Sequence, residues 1–349
     1  MYSYQIVDWG QPLQRRERAN PEPKGSEVLL RVTSSGVCHS DLHIWHGYFD
    51  LGGGQKLKIS DRGMKLPFTL GHEVLGEVIA KGPDAGDVAI GDKRIVYPWI
   101  GCGECRVCTE GHNLLCLKPR IIGTWVDGGY SDHVIVPDTR WLVPYDGIAE
   151  ELACTYACSG ITAYRAMKLT RAREDEPILI IGAGGVGLQG VHLAPSVASA
   201  RRAVADVSPE KREAARSAGA ALVVDNSDPQ AVQAVKDWSS GGVTAVVDFV
   251  GRPETVKFAM DCSRKGGAVI IVGLFGDQLP MPLATIPLRM LRLQGSYVGT
   301  LRDLKDVVAL AQEGKLPPLK TQTRPLDEVN AALVDLEAGK VDGRIVLKP

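Results

Sequence analysis

The sequence predicts an α/β protein with two domains, a β-rich, barrel-like domain and a doubly wound parallel sheet. The chain has 349 residues, which is longer than one domain usually is. Short β-branched runs separated by Gly and Pro fill the first part, and strands alternate with helices from about residue 160. We therefore expect one domain over residues 1–159, completed by residues 298–349, and a second domain over residues 160–297.

The β-rich part is predicted from short apolar runs. They are rich in Val, Ile and Leu, and they lie at residues 28–32, 74–79 and 133–136. Such runs, bounded by Gly and Pro, are typical of antiparallel strands. Near the C-terminus we expect a helix at 326–336 and a last strand at 344–348. Glycines 52–54 predict the tip of a loop.

The second part alternates two kinds of pattern. Buried-strand runs lie at residues 178–181, 221–224, 244–248 and 267–272. Between them, residues 210–219 are typical of a helix that ends at Gly219, because glycine readily forms a helix C-cap. Strands that alternate with helices in this way indicate a parallel, doubly wound sheet.

The charge balance argues against nucleic acid and membranes as partners. The net charge is −1, and the sequence has no basic tail or patch. The first nine residues contain an acid and no apolar run, unlike a signal peptide. Residues 177–200 lack charged side chains, but five glycines and Pro195 disfavour a membrane helix there. We expect a cytoplasmic protein whose thiols stay reduced.

Cysteine spacing predicts a zinc site. Four cysteines follow the pattern C-x2-C-x2-C-x7-C, at Cys102, Cys105, Cys108 and Cys116. Turns of two intervening residues let successive thiolates converge on one tetrahedral Zn²⁺. Four sulfur ligands leave no open position, which is typical of a structural metal. Two disulfides are the alternative, which a chain without secretion signals disfavours.

A glycine-rich run predicts a Rossmann dinucleotide site. It follows the buried strand 178–181 and reads Gly182-Ala-Gly184-Gly185-Val186-Gly187. In this context the glycines permit a tight turn, close approach of a pyrophosphate and close helix packing. Asp206 follows Gly187 by 19 residues. A carboxylate there binds the ribose hydroxyls of NAD and repels the 2′-phosphate of NADP; a loop acid is the alternative.

A proline falls inside the helix predicted after this run. Pro195 has no N–H to bond four residues back, and its ring clashes with the preceding turn. In a regular helix this costs about 3 kcal/mol. We therefore expect the helix to kink or end near residues 191–194.

A second set of residues predicts a catalytic metal. Cys38 and His72 are a soft and a borderline ligand, both suited to zinc. Cys158 is the best third ligand, with Cys154 as a weaker competitor. Two thiolates and one imidazole leave one coordination position open, as a catalytic zinc requires.

With these motifs the chain resembles the zinc-dependent medium-chain alcohol dehydrogenases, in particular their bacterial and archaeal tetrameric branch. The resemblance covers essentially the whole length. It is carried by Gly71-His72-Glu73-x-x-Gly76 with Gly82, the four-cysteine lobe, Gly182-x-Gly184-x-x-Gly187 and Asp206. It implies a GroES-like catalytic domain, a Rossmann coenzyme domain and two Zn²⁺ per subunit. It also implies hydride transfer between an alcohol and NAD, and a homotetramer, with a homodimer as the alternative.

The resemblance also implies roles for single residues. Cys38, His72 and Cys158 would bind the catalytic zinc, with Asp41 on the far nitrogen of His72. Glu73 would lie beside the metal, where it could serve as a transient ligand. Ser40 would accept the hydroxyl proton and pass it, through the nicotinamide ribose, to His43. The other implied contacts are His39 with the pyrophosphate, Thr162 with the nicotinamide, Lys211 with the adenosine ribose, and Trp99 and Trp125 with the alcohol.

Some of these residues have simpler interpretations. Ser40 is alternatively a helix N-cap, and His43 an exposed surface histidine. Between Cys38 and His72 lie 33 residues, more than in many family members. The extra segment, roughly residues 50–65, is expected to form a lobe at the substrate entrance or at a subunit contact, or else a solvated loop.

The sequence leaves two other functions open. One is a different dehydrogenase with the same metal sites, acting on a polyol, threonine or formaldehyde, or an aldehyde reductase. Asp206 speaks against an NADP-dependent reductase. The other is a non-catalytic dinucleotide-binding protein. The complete set of metal ligands and relay residues speaks against it, because such a protein has no need of an open zinc position.

Overall fold

The computed structural model describes residues 1–199 and 201–349. Its strands, in chain order, are β1 (Tyr2–Ile6), β2 (Gln14–Glu17), β3 (Val28–Gly36), β4 (Tyr48–Gly52), β5 (Gln55–Lys58), β6 (Phe68–Thr69), β7 (Glu73–Lys81), β8 (Lys93–Val96), β9 (His133–Val136), β10 (Leu142–Val143), β11 (Ile178–Ile181), β12 (Arg202–Ala205), β13 (Leu222–Val224), β14 (Val243–Asp248), β15 (Ser263–Ile271), β16 (Arg292–Gly295), β17 (Thr321–Pro325) and β18 (Arg344–Lys348). Its α-helices are α1 (His39–His46), α2 (Arg106–Thr109), α3 (Glu150–Ala153), α4 (Ser159–Thr170), α5 (Gly185–Val197), α6 (Pro209–Ser217), α7 (Ala231–Trp238), α8 (Pro253–Cys262), α9 (Thr285–Arg289), α10 (Leu301–Gln312) and α11 (Val329–Glu337).

A seven-stranded, mostly antiparallel sheet frames the β-rich part. Its order is β10-β8-β7-β3-β18-β17, and β9 pairs with β3 outside that path. The apolar runs predicted at 28–32, 74–79 and 133–136 form β3, β7 and β9, which confirms them as strands. β18 pairs antiparallel with β3, so the C-terminal strand lies in the same sheet as the N-terminal ones. The domain limits themselves stay a prediction.

Apolar burial explains why this sheet forms. Val28 and Leu30 of β3 and Val74, Leu75 and Val78 of β7 are fully buried. Each such side chain stabilises the fold by about 1.5–3 kcal/mol relative to exposure in water. The two long strands pair antiparallel over most of their length, and this places the start of β7 beside the end of β3. The loop before α1 and the start of β7 are thereby brought together.

The second sheet is parallel, as predicted. Its order is β13-β12-β11-β14-β15-β16, and all neighbouring pairs run parallel. All four residues of β11 are buried, as expected for a strand covered on both faces by helices. The chain adds β12 and β13 on one side of β11, then β14 to β16 on the other. A crevice opens at such a switch point, at the carboxyl ends of the strands.

The uncharged stretch that begins at residue 177 contains β11 and α5. The helix does not end near residues 191–194: it continues through Pro195 to Val197, and the Ala198 N–H still bonds the Ala194 carbonyl at 2.9 Å. The prediction of an early end was wrong because Pro195 lies in the last turn, where it removes a single hydrogen bond while buried neighbours hold the helix. In the described part of the chain, no helix has the length and apolarity to span a bilayer. Ala200 lies outside the described residues.

The extra segment before His72 forms an ordered hairpin. β4 and β5 pair antiparallel, and a 3-10 turn at Ser60–Arg62 follows. Glycines 52–54 all have positive φ and make the tip, as predicted. Residues 50–65 therefore have regular backbone structure, while most of their side chains are exposed.

Candidate active site between two cavities

Helix α1 begins at the first predicted metal ligand. Cys38 is its N-cap residue, and the Asp41 carboxylate accepts a hydrogen bond from the Cys38 N–H at 2.9 Å. This capping contact fixes the start of the helix. Ser40 lies inside the first turn, so it is not the N-cap, and its Oγ is 3.8 Å from Cys38 Sγ.

The three predicted ligands of the catalytic metal lie close together in the fold. Ligand atoms of Cys38, His72 and Cys158 all lie within 4.8 Å of one another, and the three residues are buried. The sulfurs of Cys38 and Cys158 are 3.8 Å apart. That distance matches the roughly 3.8 Å edge of a tetrahedron with Zn–S bonds of about 2.3 Å. Cys154 is not part of this group, and its thiol contacts the Glu151 carbonyl at 3.6 Å instead.

The His72 ring is held through Nδ1. Asp41 Oδ1 lies 3.1 Å from this nitrogen, and Asp41 Oδ2 accepts a hydrogen bond from the Tyr130 hydroxyl at 2.8 Å. Burial, followed by the field of Asp41, raises the pKa of Tyr130 well above its usual range, so the phenol stays a neutral donor. The other nitrogen of His72, Nε2, is buried and has no hydrogen-bond partner within the described residues. Sequence reasoning missed Tyr130, because no spacing links it to Asp41.

A buried ion pair lies beside the three ligands. Arg344 Nη2 donates to Glu73 Oε2 at 2.5 Å, and the Ser159 N–H donates to Glu73 Oε1 at 3.3 Å. Burial raises the pKa of Glu73 to about 7, although Arg344 opposes that shift. Arg344 was also missed; the signal available was a charged residue opening an otherwise apolar strand run. A Cβ on Gly185 would lie 2.8 Å from Arg344 Cδ, so Arg344 also borders the start of α5.

Three glycines shape the turn between β11 and α5. Gly182 has a φ of 87°, a left-handed conformation that favours glycine. A Cβ on Gly187 would lie 1.8 Å from the Gly182 carbonyl oxygen, so a side chain there would push the helix off the strand. A Cβ on Gly184, by contrast, would face open space. The turn therefore leaves room for an anionic group at the N-terminus of α5.

A cavity of about 290 Å³ connects this turn with the metal ligands. The predicted cofactor residues that line it are His39, Thr162, Gly182, Gly184, Gly185, Val186, Gly187, Asp206 and Lys211. Cys38, Ser40, His43 and Cys158 line it as well. Thr162 Oγ1 is buried without a hydrogen-bond partner in the described part of the chain, as expected of a hydroxyl that meets a bound group.

Asp206 stands at the carboxyl end of β12. Its carboxylate accepts hydrogen bonds from the Ala183 N–H at 2.8 Å and from the Ser208 N–H at 2.9 Å. The side chain is only 8% exposed, so it is not a solvated loop acid. Each carboxylate oxygen has a second lone pair, so Asp206 can still accept hydroxyl donors from within the cavity.

His43 faces the same cavity one helical turn after His39. Its ring stacks on Phe49, with centroids 4.9 Å apart and planes at 29°. Burial lowers the pKa of His43, and the neighbouring His39 lowers it further. The imidazole is therefore neutral at neutral pH and able to accept a proton. Because His43 is half-buried and stacked, it is not a free surface histidine.

A larger cavity of about 490 Å³ adjoins the first. The residues shared by both cavities are Gly273, Leu274 and Tyr297. Trp99 and Trp125, predicted for the alcohol pocket, both line the larger cavity. The Trp99 N–H donates to the Ala157 carbonyl at 2.8 Å, and its ring meets the His72 ring at 5.4 Å. Trp99 thus lines the larger cavity and contacts the ring of one predicted metal ligand.

The hairpin of the extra segment forms one wall of this larger cavity. The lining residues from the segment and its first strand are Phe49, Asp50, Leu51, Leu57 and Arg62. Asn113, Leu114 and Cys116 of the cysteine lobe line the same cavity. The extra segment thus lines the cavity that also holds Trp99 and Trp125, the two residues predicted for the alcohol pocket.

The four-cysteine lobe gathers its sulfurs without disulfides. Sulfur pairs among Cys102, Cys105, Cys108 and Cys116 lie 3.5–3.9 Å apart. These distances match the tetrahedral edge given above and greatly exceed an S–S bond of about 2.05 Å. Backbone N–H groups of Cys102, Cys105 and Lys118 point at the sulfurs at 3.3–3.4 Å, which favours thiolates.

Comparisons with known families agree with this arrangement. Residues 24–147 match the family model "Alcohol dehydrogenase GroES-like domain", and residues 185–313 match "Zinc-binding dehydrogenase". A NAD-dependent alcohol dehydrogenase of Sulfurisphaera tokodaii is 36% identical over 100% of both chains. A protein of the same name from Saccharolobus solfataricus is 37% identical, also over 100% of both chains.

Solved structures give the same result. The alcohol dehydrogenase of the hyperthermophilic archaeon Aeropyrum pernix is similar with a TM-score of 0.89 and 31% identity, over 100% of both chains. Together with the family models, this match confirms the predicted GroES-like and Rossmann fold. The chain therefore belongs to the zinc-type medium-chain alcohol dehydrogenase family.

Proposed function

We propose that this chain transfers a hydride between a primary or secondary alcohol and NAD, giving an aldehyde or a ketone. The observation that carries the proposal is the position of Cys38, His72 and Cys158. Cys38 and Cys158 of this buried group line the cavity that holds the glycine-rich turn, and the His72 ring contacts Trp99, which lines the adjoining larger cavity. A nicotinamide in one cavity and an alcohol in the other would meet beside the ligands.

Zinc fits both clusters of ligands, and we assign a catalytic ion to one and a structural ion to the other. Two thiolates and one imidazole form a donor set with an open position. The unpartnered Nε2 of His72 and the 3.8 Å sulfur separation support that assignment. When bound, the catalytic ion supplies Lewis-acid polarisation of the alcohol oxygen. Asp41 orients the His72 ring through Nδ1, and Glu73 stands beside the ligands, paired with Arg344.

NAD fits the smaller cavity. The space beside Gly184 suits the pyrophosphate, because the N-terminus of α5 attracts anions, and we assign His39 to the same phosphates. Asp206 accepts the adenosine ribose hydroxyls, with Lys211 beside it, and Thr162 Oγ1 meets the nicotinamide. When bound, NAD accepts the hydride.

Two residues of α1 handle the hydroxyl proton. Ser40 Oγ lies beside Cys38 Sγ; it accepts the proton that the alcohol loses and releases its own hydroxyl proton towards His43. His43 follows three residues later, is neutral at neutral pH, and holds the proton before its release to solvent. Both side chains line the smaller cavity.

Replacing His43 tests this relay. His43→Gln is expected to lower kcat by about 10²–10⁴-fold, the usual contribution of a positioned general base. The parent rate should rise with pH, because only the neutral His43 ring accepts a proton. The rise should centre below the ordinary pKa of histidine, because burial lowers the pKa of His43. The variant should lack this rising limb in a pH–rate profile. His46→Gln, on the same helix but paired with Glu337, is the control and should keep the limb. Parent-like kinetics in His43→Gln would remove the residue from the mechanism.

Replacing Asp206 tests cofactor choice. Asp206→Asn removes the charge that accepts the ribose hydroxyls, and hydrogen bonds to charged groups contribute about 1.5–3 kcal/mol. We expect the KM for NAD to rise about ten- to a hundredfold while kcat changes little, and the preference for NAD over NADP to shrink. Initial rates with both cofactors measure this. Asp225→Asn at the end of the next strand is the control; an unchanged NAD KM in Asp206→Asn would refute the assignment.

Assembly, location and domain limits complete the proposal. We propose a homotetramer, with a homodimer as the alternative, in the cytoplasm, from the resemblance to the tetrameric branch of the family. We also propose the catalytic domain as residues 1–159 with 298–349, and the coenzyme domain as residues 160–297. Light scattering after size-exclusion chromatography measures the subunit number.

A substrate panel with a metal assay tests the function itself. Purified protein is assayed for NAD reduction by absorbance with aliphatic and aromatic alcohols, polyols and aldoses, and its zinc is counted on the same sample. We expect alcohols with apolar chains to be preferred, because Trp99, Trp125 and Phe49 line the larger cavity. Aldoses are the competing substrate class, because a relative that is 31% identical is named D-arabinose 1-dehydrogenase (NADP(+)). Activity with aldoses and NADP alone would overturn the proposal.

A further inference from the structure

Two histidines of α1 each contact an aromatic ring from a different part of the chain. His43 stacks on Phe49 of strand β4, with centroids 4.9 Å apart. His39 meets Phe275, from the loop after β15, at 5.2 Å. The two histidines are four residues apart on one helix and both line the smaller cavity, on either side of Ser40. Phe275 therefore contacts the histidine before Ser40, and Phe49 contacts the histidine after it.

The elements that bring these two rings also touch each other. A Cβ on Gly52, at the hairpin tip, would lie 2.6 Å from the backbone of Asp277, and a Cβ on Gly276 would lie 2.3 Å from the Asp50 carbonyl oxygen. Backbone thus packs directly on backbone, where only glycine fits. The hairpin is held across the cleft against the loop after β15, so strand β4 has a fixed support.

Phe49 links the two cavities. Its side chain lines the larger cavity, whereas the His43 ring on which it stacks lines the smaller one. The neighbouring Tyr48 lies on the other face of the hairpin, where the Lys56 ammonium sits 3.6 Å from its ring centroid. Among the described residues, Phe49 is the one ring stacked on His43, so replacing Phe49 by an aliphatic residue removes that stacking contact.

We propose that Phe49 is a positioning residue for the proton relay: it holds the His43 imidazole in the orientation that accepts the proton, and its other face forms the wall that the alcohol contacts. This inference rests on the proposed alcohol dehydrogenase function. It assigns the extra hairpin a part in proton transfer as well as in substrate contact. A substrate packed against Phe49 would hold the Phe49 ring in place, and that ring in turn holds the His43 imidazole.

A double-mutant cycle tests the proposal. The variants are Phe49→Leu, His43→Gln and the two combined, with Phe49→Tyr as the conservative variant and Tyr48→Leu as the matched control on the other face. We expect Phe49→Leu to lower kcat about tenfold and to enlarge the solvent deuterium isotope effect on kcat, with NAD binding unchanged. In the His43→Gln background the same change should alter kcat less than about twofold, because the ring it positions is gone. Phe49→Tyr should restore kcat, and Tyr48→Leu should leave it unchanged.

Three results would overturn the inference. One is an equal loss of kcat from Phe49→Leu in both backgrounds, and another is a rise in the KM for alcohol without any change in kcat or isotope effect. The third is loss of NAD binding or a collapsed thermal transition in both Phe49→Leu and Phe49→Tyr, which would make the role structural. A failure of the proposed function looks different, since the parent protein itself would then oxidise no alcohol.

Discussion

Cys38→Ser is expected to abolish alcohol oxidation and to leave NAD binding intact. The serine hydroxyl is a harder and far less acidic donor than the cysteine thiol, so it does not replace a thiolate on zinc. Lewis-acid polarisation contributes several kcal/mol to such a reaction, which corresponds to a loss of at least about 10³-fold. The fold should survive, because Cys38 is the N-cap of α1 and serine is a preferred N-cap residue.

The experiment combines three readouts on one preparation. Zinc should fall from two to one per chain, turnover should disappear, and fluorescence titration should give the parent affinity for NAD. Cys154→Ala is the matched control: this cysteine is buried four residues before Cys158 but lies outside the ligand group, so zinc and turnover should be kept. Turnover retained by Cys38→Ser would show that the chemistry occurs elsewhere.

Cys105→Ser is expected to damage stability and assembly before it affects chemistry. The lobe that holds the four cysteines has little apolar burial of its own, since Leu115 and Leu117 are 64% and 96% exposed. Binding of a structural zinc contributes folding free energy, and the apparent binding free energy in isolated zinc-finger peptides is about 10–16 kcal/mol. We therefore expect the loss of one zinc per chain and a drop in Tm of at least about 5 °C, given that 1 kcal/mol shifts Tm by roughly 2–4 °C in domains of this size.

The same variant has a second expected effect at the substrate. Asn113, Leu114 and Cys116 line the larger cavity, so an unfolded lobe should raise the KM for alcohol while the NAD affinity is kept. Calorimetry, zinc counting and steady-state kinetics measure the three quantities. Glu104→Gln, an exposed change inside the lobe, should reproduce the parent values. A Cys105→Ser protein with both zinc ions and the parent Tm would exclude the structural role.

Features encoded by short spacings were predictable from the sequence. The cysteine pattern brings its four sulfurs together through local turns, and the strand before Gly182 places the glycine-rich turn at the start of α5. In both places a few consecutive residues determine the geometry, so the backbone alone positions the side chains. Cys158 was harder, because it reaches Cys38 through the fold, and only its ligand chemistry pointed to it.

Other contacts could not be predicted because they join distant parts of the chain. Arg344 reaches Glu73 across 271 residues, and Tyr130 reaches Asp41 across 89. Their side chains meet only after the strands of the first sheet have paired. The stacking of Phe49 on His43 depends in the same way on how the hairpin folds back. Pro195 shows a different failure: the rule that proline ends a helix has little effect there, because Pro195 lies in the last turn of α5 and removes only one hydrogen bond.

Anomalous diffraction at the zinc edge, from crystals of the parent protein, tests the central claim most directly. We expect two peaks per chain, one within the four-cysteine lobe and one between Cys38, His72 and Cys158. At the latter, metal–sulfur distances should be about 2.3 Å, the bond to His72 Nε2 about 2.0–2.1 Å, and one coordination position should face the cavities. A zinc-replete protein without a peak at these three residues would contradict the account.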